Sequence, residues 1–95
     1  MPLFVLSCID KPGSLDVRLG AREAHLAHMA AHAAMVKAAG PYLDEAGQPA
    51  GSMILLDAPD RAAVEAFAAA DPYRLAGLFE RVDIHAWRVS VGSLS

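Results

Sequence analysis

Three histidines and an arginine lie close together in "REAHLAHMAAH", residues 22–32, within an alanine-rich segment. His25 follows Arg22 by three residues and Arg18 by seven, so all three side chains can share one side of a helix. Two guanidinium groups this close repel each other unless an anion or a carboxylate is present. The spacing predicts a site for an anion or an acidic phenol. The alternative is a structural histidine at the margin of an apolar face.

A second chemical feature is Asp71, in "ADPYRLAG" at residues 70–77, where a helix is predicted to end. A carboxylate near the negative end of a helix dipole needs a cationic or hydrogen-bonding partner, and a histidine is suitable. Such a pair would fix the imidazole tautomer and make the ring more basic, as a general base near neutral pH requires. Tyr73 could donate a phenolic proton to a substrate oxygen. The alternatives are that Asp71 only begins a turn and that Tyr73 only packs.

His28 and His32 lie four residues apart on one helical face, a spacing that zinc ligands use. No glutamate follows the first histidine in the HExxH manner, and one helix cannot surround a metal ion alone. Solvent-facing histidines on a surface helix are the preferred interpretation, and no metal is expected. Cys8 lies in an apolar stretch without a lysine or arginine beside it, which predicts a buried, inert thiol.

Composition limits the class of protein. The 95 residues suffice for one domain, 1–95, and 55% of them are hydrophobic. The net charge of −3 argues against nucleic acid or an anionic membrane as a partner. A single cysteine favours a reduced, cytoplasmic protein. No signal peptide is recognised, and no apolar run approaches the ~20 residues that span a bilayer.

Periodicity predicts the elements that must position these residues. A strand over 3–9 is apolar on both faces, and a helix is expected from about Leu19 to Ala39, ended by Gly40-Pro41. The apolar arc of this helix is expected to be formed by Leu26, Met29, Ala30, Ala33 and Val36. Arg22 falls within this arc, and the three histidines lie along its edge. The remaining elements are a short strand with a turn in 41–51, a strand over 52–58, a helix over 60–71 and a strand over 79–91.

This β-α-β-β-α-β order is the ferredoxin-like pattern, an α+β fold. It places two helices on one face of a four-stranded antiparallel sheet. Because the first and third strands are apolar on both sides, the other face also needs a cover. The predicted cover is a second copy of the chain, in a homodimer formed sheet against sheet.

The combined pattern resembles the YciI-like family. The likeness is carried by "RLGAREAHLAHM" at 18–29, "AGP" at 39–41, "GS" at 51–52 and "ADPYRLAGLFE" at 70–80, together with the opening "FVLSCIDKPGSLDVR". It implies a ferredoxin-like fold in the dimeric α/β-barrel group and an active site centred on His25 and Asp71. The pocket residues that it implies are Arg18, Arg22, Tyr73 and, more weakly, Ser52.

One branch of this family resembles dehydrochlorinases of chlorinated hydroxyhydroquinones, and the wider fold group includes muconolactone isomerases. The leading hypothesis is therefore a small cytoplasmic enzyme without a cofactor, a lyase or isomerase acting on a hydroxylated aromatic or lactone-like anion. His25 would act as acid or base, oriented by Asp71, with Arg22 and Arg18 at the oxyanion. The alternatives are a non-catalytic ligand-binding or accessory domain and a His-rich metal-binding protein.

Overall fold

Four strands and two main helices follow one another in the predicted order, and a one-turn helix precedes the last strand. In the computed structural model, which describes residues 2–94, the strands are β1 (Leu3–Asp10), β2 (Val36–Leu43), β3 (Pro49–Asp57) and β4 (Phe79–Trp87). The helices are α1 (Leu15–Ala31), α2 (Arg61–Ala69) and the one-turn α3 (Pro72–Leu75). The sheet order is β2-β3-β1-β4 with antiparallel neighbours, which confirms the ferredoxin-like fold.

The hydrophobic core lies between the sheet and the helices. Alternate residues of β1 and β3 face this side, and α2 packs its apolar residues on them. Asp60 begins α2 by accepting a hydrogen bond from the backbone amide of Ala63, as an N-cap residue does. The buried core consists of Phe4, Leu6, Cys8, Ile54, Leu56, Ala58, Val64, Phe67 and Ala68. No helix of the described chain is long and apolar enough to cross a membrane.

The expectation that the first helix extends to Ala39 is wrong. α1 ends at Ala31, and residues 36–43 form the edge strand β2, paired with β3. The alanines in this stretch favour a helix locally, but pairing with a neighbouring strand overrides that preference. Pro41 is tolerated because an edge strand leaves some backbone amides unpaired. The last strand is also shorter than expected, since β4 ends at Trp87.

The predicted apolar arc faces the core only in part, since Met29 of α1 and Val36 of β2 pack against it. Leu26 is 49% exposed and Arg22 is also exposed, whereas the buried residues of α1 are Arg18 and His25. The fully buried side chains of α1 are therefore polar. Polar groups can be buried in this way only if hydrogen-bonding partners come from other elements.

The second face of the sheet carries no helix in the described chain. The residues there include Val5, Met53 and Trp87, of which Met53 is 40% and Trp87 44% exposed. On the same face the Tyr42 ring crosses β3 at Gly51, and its hydroxyl lies 2.9 Å from Ser7 Oγ. A Cβ at Gly51 would stand 2.9 Å from Tyr42 Cδ2, so this crossing requires glycine. We call this face the open face.

Candidate active site

His25 and Asp71 form a hydrogen bond between elements 46 residues apart in sequence. His25 Nδ1 lies 2.9 Å from Asp71 Oδ1, and the two residues are 8% and 1% exposed. An ionised carboxylate can only accept a hydrogen bond, so Nδ1 is the protonated nitrogen. Within residues 2–94, no hydrogen-bonding partner is found for Nε2. In the neutral form of the ring, Nε2 is therefore the nitrogen that can accept a proton.

The segment 70–78 holds Asp71 in place by local backbone chemistry. Asp71 is the N-cap of α3, and its Oδ1 also accepts a hydrogen bond from the Tyr73 amide at 2.9 Å. Pro72 suits the first helical position, because an amide N–H there would have no partner in the helix and proline has none. The helix ends at Leu75. Gly77 follows its C-cap with a φ of 75°, in the left-handed region, and the Leu78 amide donates a hydrogen bond to the Tyr73 carbonyl. The prediction that Asp71 ends the preceding helix is therefore wrong, since α2 stops at Ala69.

Tyr73 fixes the plane of the imidazole. The two rings stack at a centroid distance of 3.9 Å and an interplanar angle of 12°. Burial raises the pKa of Tyr73, although the nearby charges of Arg18 and Arg22 lower it in part. Tyr73 thus remains a phenol at neutral pH and can donate a hydrogen bond.

Arg18 anchors the opposite side of Tyr73. Its Cζ lies 4.7 Å from the Tyr73 ring centroid, and its Nε and Nη2 bind the two carboxylate oxygens of Asp10 at 2.8 and 3.0 Å. Nη2 also donates to Gly51 O at 2.7 Å and to Ser52 Oγ at 2.9 Å. Burial lowers the pKa of Arg18, but the hydrogen bond and charge of Asp10 raise it above its usual value. Arg18 is therefore a permanently charged, buried group.

The predicted pocket residues thus separate into two groups. Arg18 and Ser52 are buried and bonded to each other, while Arg22 is exposed and forms no ion pair with a described residue. Asp10, the counter-ion of Arg18, was not predicted. The sequence feature that could have pointed to Asp10 is its position as an acid at the end of an apolar strand, eight residues before Arg18.

Two further groups adjoin this cluster. Asp71 Oδ2 is buried and has no hydrogen-bond donor among the described residues. Cys8 is buried as predicted, and burial, followed by the charge of Asp71, raises the pKa of its thiol to about 12. Cys8 is therefore protonated at neutral pH and is not a nucleophile there.

The interpretation of His28 and His32 as solvent-facing residues is wrong. Both are half-buried against Phe67 of α2, with ring centroids 4.6 and 5.1 Å from it. His28 Nε2 donates to Phe67 O at 3.0 Å, and His32 Nδ1 donates to His28 O at 2.9 Å. They fasten α1 to the last turn of α2. The described part of the chain contains no group of three or more His, Cys, Asp or Glu side chains able to hold a metal ion.

Removal of Arg18 tests the buried ion pair. We expect Arg18→Ala to lower the free energy of unfolding by about 3–5 kcal/mol, because it leaves the Asp10 carboxylate buried without its cation. The matched control is Arg81→Ala, which removes an ion pair to Asp83 from a side chain that is 72% exposed and should cost about 1 kcal/mol or less. Denaturant unfolding measures both values. Equal losses would contradict a structural role for Arg18.

The chain is similar to proteins of known sequence over nearly its full length. The YCII-related domain model matches residues 2–88. Protein YciI of Escherichia coli O6:H1 is 32% identical over 98 aligned positions, which cover 90% of this chain and 96% of the relative. Protein YciI of Shigella flexneri matches to the same extent.

Two solved structures give the structural comparison. The 5-chloro-2-hydroxyhydroquinone dehydrochlorinase of Burkholderia phenoliruptrix AC1100, in complex with 2,5-dihydroxybenzoquinone, is 32% identical with a TM-score of 0.84, over 90% of this chain and 93% of that one. A putative antibiotic biosynthesis monooxygenase of Bacteroides thetaiotaomicron, 12% identical with a TM-score of 0.60 over 99% and 93%, shares the fold alone. The chain belongs to the YCII-related, or YciI-like, domain family.

Proposed function

We propose that this chain is an acid–base enzyme for a hydroxylated aromatic or quinone-type substrate, with His25 as the general base. The observation that carries the proposal is the buried hydrogen bond from His25 Nδ1 to Asp71 Oδ1, which leaves Nε2 without a protein partner in the described chain. The second support is the likeness to a dehydrochlorinase that binds 2,5-dihydroxybenzoquinone. Elimination or proton transfer of this kind needs no cofactor.

His25 Nε2 accepts a proton from a substrate hydroxyl in the proposed reaction. Asp71 stabilises the imidazolium that forms, because its carboxylate is already bonded to the other ring nitrogen. For a chlorinated trihydroxybenzene, one hydroxyl proton first moves to the ring carbon that bears chlorine, which gives a keto tautomer. Loss of a second hydroxyl proton to His25 and of chloride with the C–Cl electron pair then yields a hydroxybenzoquinone and HCl. The ring supplies the electron pair that expels chloride, so no external oxidant is consumed.

Arg22 and Tyr73 are the proposed contacts for the substrate oxygens. Arg22 is exposed on the turn of α1 that precedes His25, and its charge lowers the pKa of Tyr73. A cation and a phenolic donor together stabilise a developing oxyanion. Arg18 and Ser52 are proposed to act through Tyr73, because their polar atoms are bonded within the protein.

Kinetics of site variants test this function with 5-chloro-2-hydroxyhydroquinone as substrate and chloride release as the measurement. We expect His25→Ala and Asp71→Asn to lower kcat/KM by about 10²-fold or more, because each removes a group needed for proton transfer. The matched control is His28→Gln, a change on the same helix that keeps a donor for Phe67 O. It should retain parental activity.

A parental rate in His25→Ala would overturn the catalytic proposal. If the wild-type protein releases no chloride but binds 2,5-dihydroxybenzoquinone by calorimetry, the alternative of a non-catalytic ligand-binding domain replaces it. Circular dichroism of each variant separates loss of activity from loss of folding.

We also propose that the open face forms a homodimer, sheet against sheet. Its exposed apolar side chains, including Met53 and Trp87, would be buried by a second copy. The residues of the candidate site lie on the helix side of the sheet, so each subunit would carry its own site. Catalysis then needs no residue from the partner.

Met53→Arg tests the dimer, because it places a charge on the open face. We expect this variant to sediment as a monomer and to keep the parental kcat. The control is Leu26→Arg on α1, where the leucine is 49% exposed on the other side of the molecule and the wild-type oligomer should persist. A dimeric Met53→Arg protein, or a monomeric wild type, would refute the open-face dimer.

A further inference from the structure

Asp10 is a buried carboxylate that the proposed reaction does not use. It is the last residue of β1, where the pairing with β4 shifts register, and its side chain is 7% exposed. Its Oδ2 accepts a hydrogen bond from Arg18 Nε at 2.8 Å, and its Oδ1 accepts one from Arg18 Nη2 at 3.0 Å. A buried carboxylate is costly unless a cation lies beside it. Asp10 and Arg18 thus form a buried, bidentate ion pair.

The contacts of Arg18 with β3 hold it in place but do not balance its charge. Its Nη2 donates to Gly51 O at 2.7 Å and to Ser52 Oγ at 2.9 Å. A carbonyl and a hydroxyl are neutral acceptors, so these two bonds supply no counter-charge. Within residues 2–94, Asp10 is the carboxylate that lies within ion-pairing distance of Arg18.

The charge of Arg18 acts on the phenol of Tyr73. The guanidinium Cζ lies 4.7 Å from the centroid of the Tyr73 ring. Burial raises the pKa of Tyr73, whereas the charge and the hydrogen bond of Arg18 lower it. The charge of Arg22 lowers this pKa further, and the charge of Asp71 raises it. Two cations therefore act on a phenol that has one carboxylate close by, and Asp10 supplies the second negative charge.

The other elements packed against Tyr73 add few charges. Phe79 of β4 meets its ring edge at a centroid distance of 6.2 Å and is uncharged. The charged and titratable groups that bear on the phenol are Arg18, Arg22 and His25 of α1, Asp71 at the start of α3 and, through Arg18, Asp10 of β1.

We propose that Asp10 is a positioning residue of the site, which through Arg18 keeps Tyr73 a proton-donating phenol beside His25. This inference rests on the proposed function, in which Tyr73 contacts a substrate oxygen. Asp10 itself does not touch the substrate. Its carboxylate offsets the guanidinium charge, because a buried cation without a counter-ion would stabilise the Tyr73 phenolate.

This role of Asp10 narrows the class of ligand that the site accepts. Arg22 supplies an exposed cation, and a neutral Tyr73 supplies a hydrogen-bond donor, so together they suit an oxyanion such as an ionised hydroxyquinone. A Tyr73 phenolate would be an acceptor only and would repel the same anion. Loss of Asp10 should therefore weaken the binding of an anionic ligand at a lower pH than in the wild-type protein.

Titration of Tyr73 by NMR tests this role without any turnover. The chain has two tyrosines, so protein labelled with carbon-13 at the tyrosine Cζ gives two signals, which Tyr42→Phe assigns. We expect Asp10→Asn to move the titration midpoint of Tyr73 to lower pH by about half a pH unit or more, because the negative charge next to Arg18 is lost. Tyr42 lies on the open face, and its midpoint should not change.

Three further variants separate the charge of Asp10 from its structural contacts. Asp10→Glu keeps the carboxylate and should keep the wild-type midpoint of Tyr73. Asp16→Asn removes an exposed carboxylate from the first turn of α1, two residues before Arg18, and should have no effect. Asp10→Asn/Arg18→Gln removes both buried charges, so its midpoint should rise above the wild-type value. This double variant leaves no unpaired ion and keeps the test decisive if Asp10→Asn alone fails to fold.

Calorimetry with 2,5-dihydroxybenzoquinone connects the phenol to the ligand. This compound is already an anion at neutral pH, so a change of its affinity in alkaline solution reports on the protein. We expect its dissociation constant to rise about tenfold per pH unit above the Tyr73 midpoint. In Asp10→Asn the rise should begin at lower pH, by the interval that NMR measures. If the wild-type protein does not bind this compound, the proposed function fails, while the titration still decides the role of Asp10.

Three results would refute the role of Asp10. One is a Tyr73 midpoint that is unchanged or raised in folded Asp10→Asn. Another is a midpoint that falls in the double variant as well, which would mean that Arg18 is not the cation that Asp10 offsets. The third is ligand binding that weakens at the same pH in the wild-type and Asp10→Asn proteins, which would separate the ionisation of Tyr73 from binding.

Discussion

The arrangement of the site depends on the burial of one carboxylate. Asp71 is 1% exposed, and its Oδ1 accepts hydrogen bonds from His25 Nδ1 and from the Tyr73 amide. A buried carboxylate without such donors would be strongly destabilising. Because the Asp71 carboxylate needs these hydrogen bonds, it holds α1 against α3 and sets the tautomer of the imidazole. Its second oxygen is buried and has no protein donor in the described chain.

The polar cluster continues from this carboxylate to the sheet. Tyr73 stacks on His25 and lies under the guanidinium of Arg18, which is bonded to Asp10 and to Ser52 of β3. The buried polar side chains of α1 are thereby matched by partners from β1, β3 and α3. Catalytic groups held by such rigid contacts stay oriented without the reorganisation that water would need. The open face, in contrast, carries exposed apolar side chains such as Met53 and Trp87.

The sequence predicted the order of elements, because strand patterns and turn residues act locally. The pairing of His25 with Asp71, 46 residues apart, was predicted from the resemblance to the YciI-like family and not from local patterns. Local patterns failed where long-range contacts decide the outcome. The alanine-rich residues 36–39 became part of β2 through pairing with β3. Periodicity placed Leu26 inside and gave no sign that Arg18 is buried, because its partners Asp10 and Ser52 come from other elements. The roles of Arg22, Tyr73 and the open face remain predictions.

The protonation state of the His25 ring is the most direct test of the central claim, that Asp71 holds Nε2 ready to accept a proton. A long-range proton–nitrogen correlation spectrum of protein labelled with nitrogen-15 in histidine distinguishes the two tautomers at mildly alkaline pH, and Asp71→Ala assigns the response. We predict that neutral His25 carries its proton on Nδ1 and that this preference is lost in Asp71→Ala. A proton on Nε2 in the wild-type protein, or a spectrum unchanged by the substitution, would contradict it.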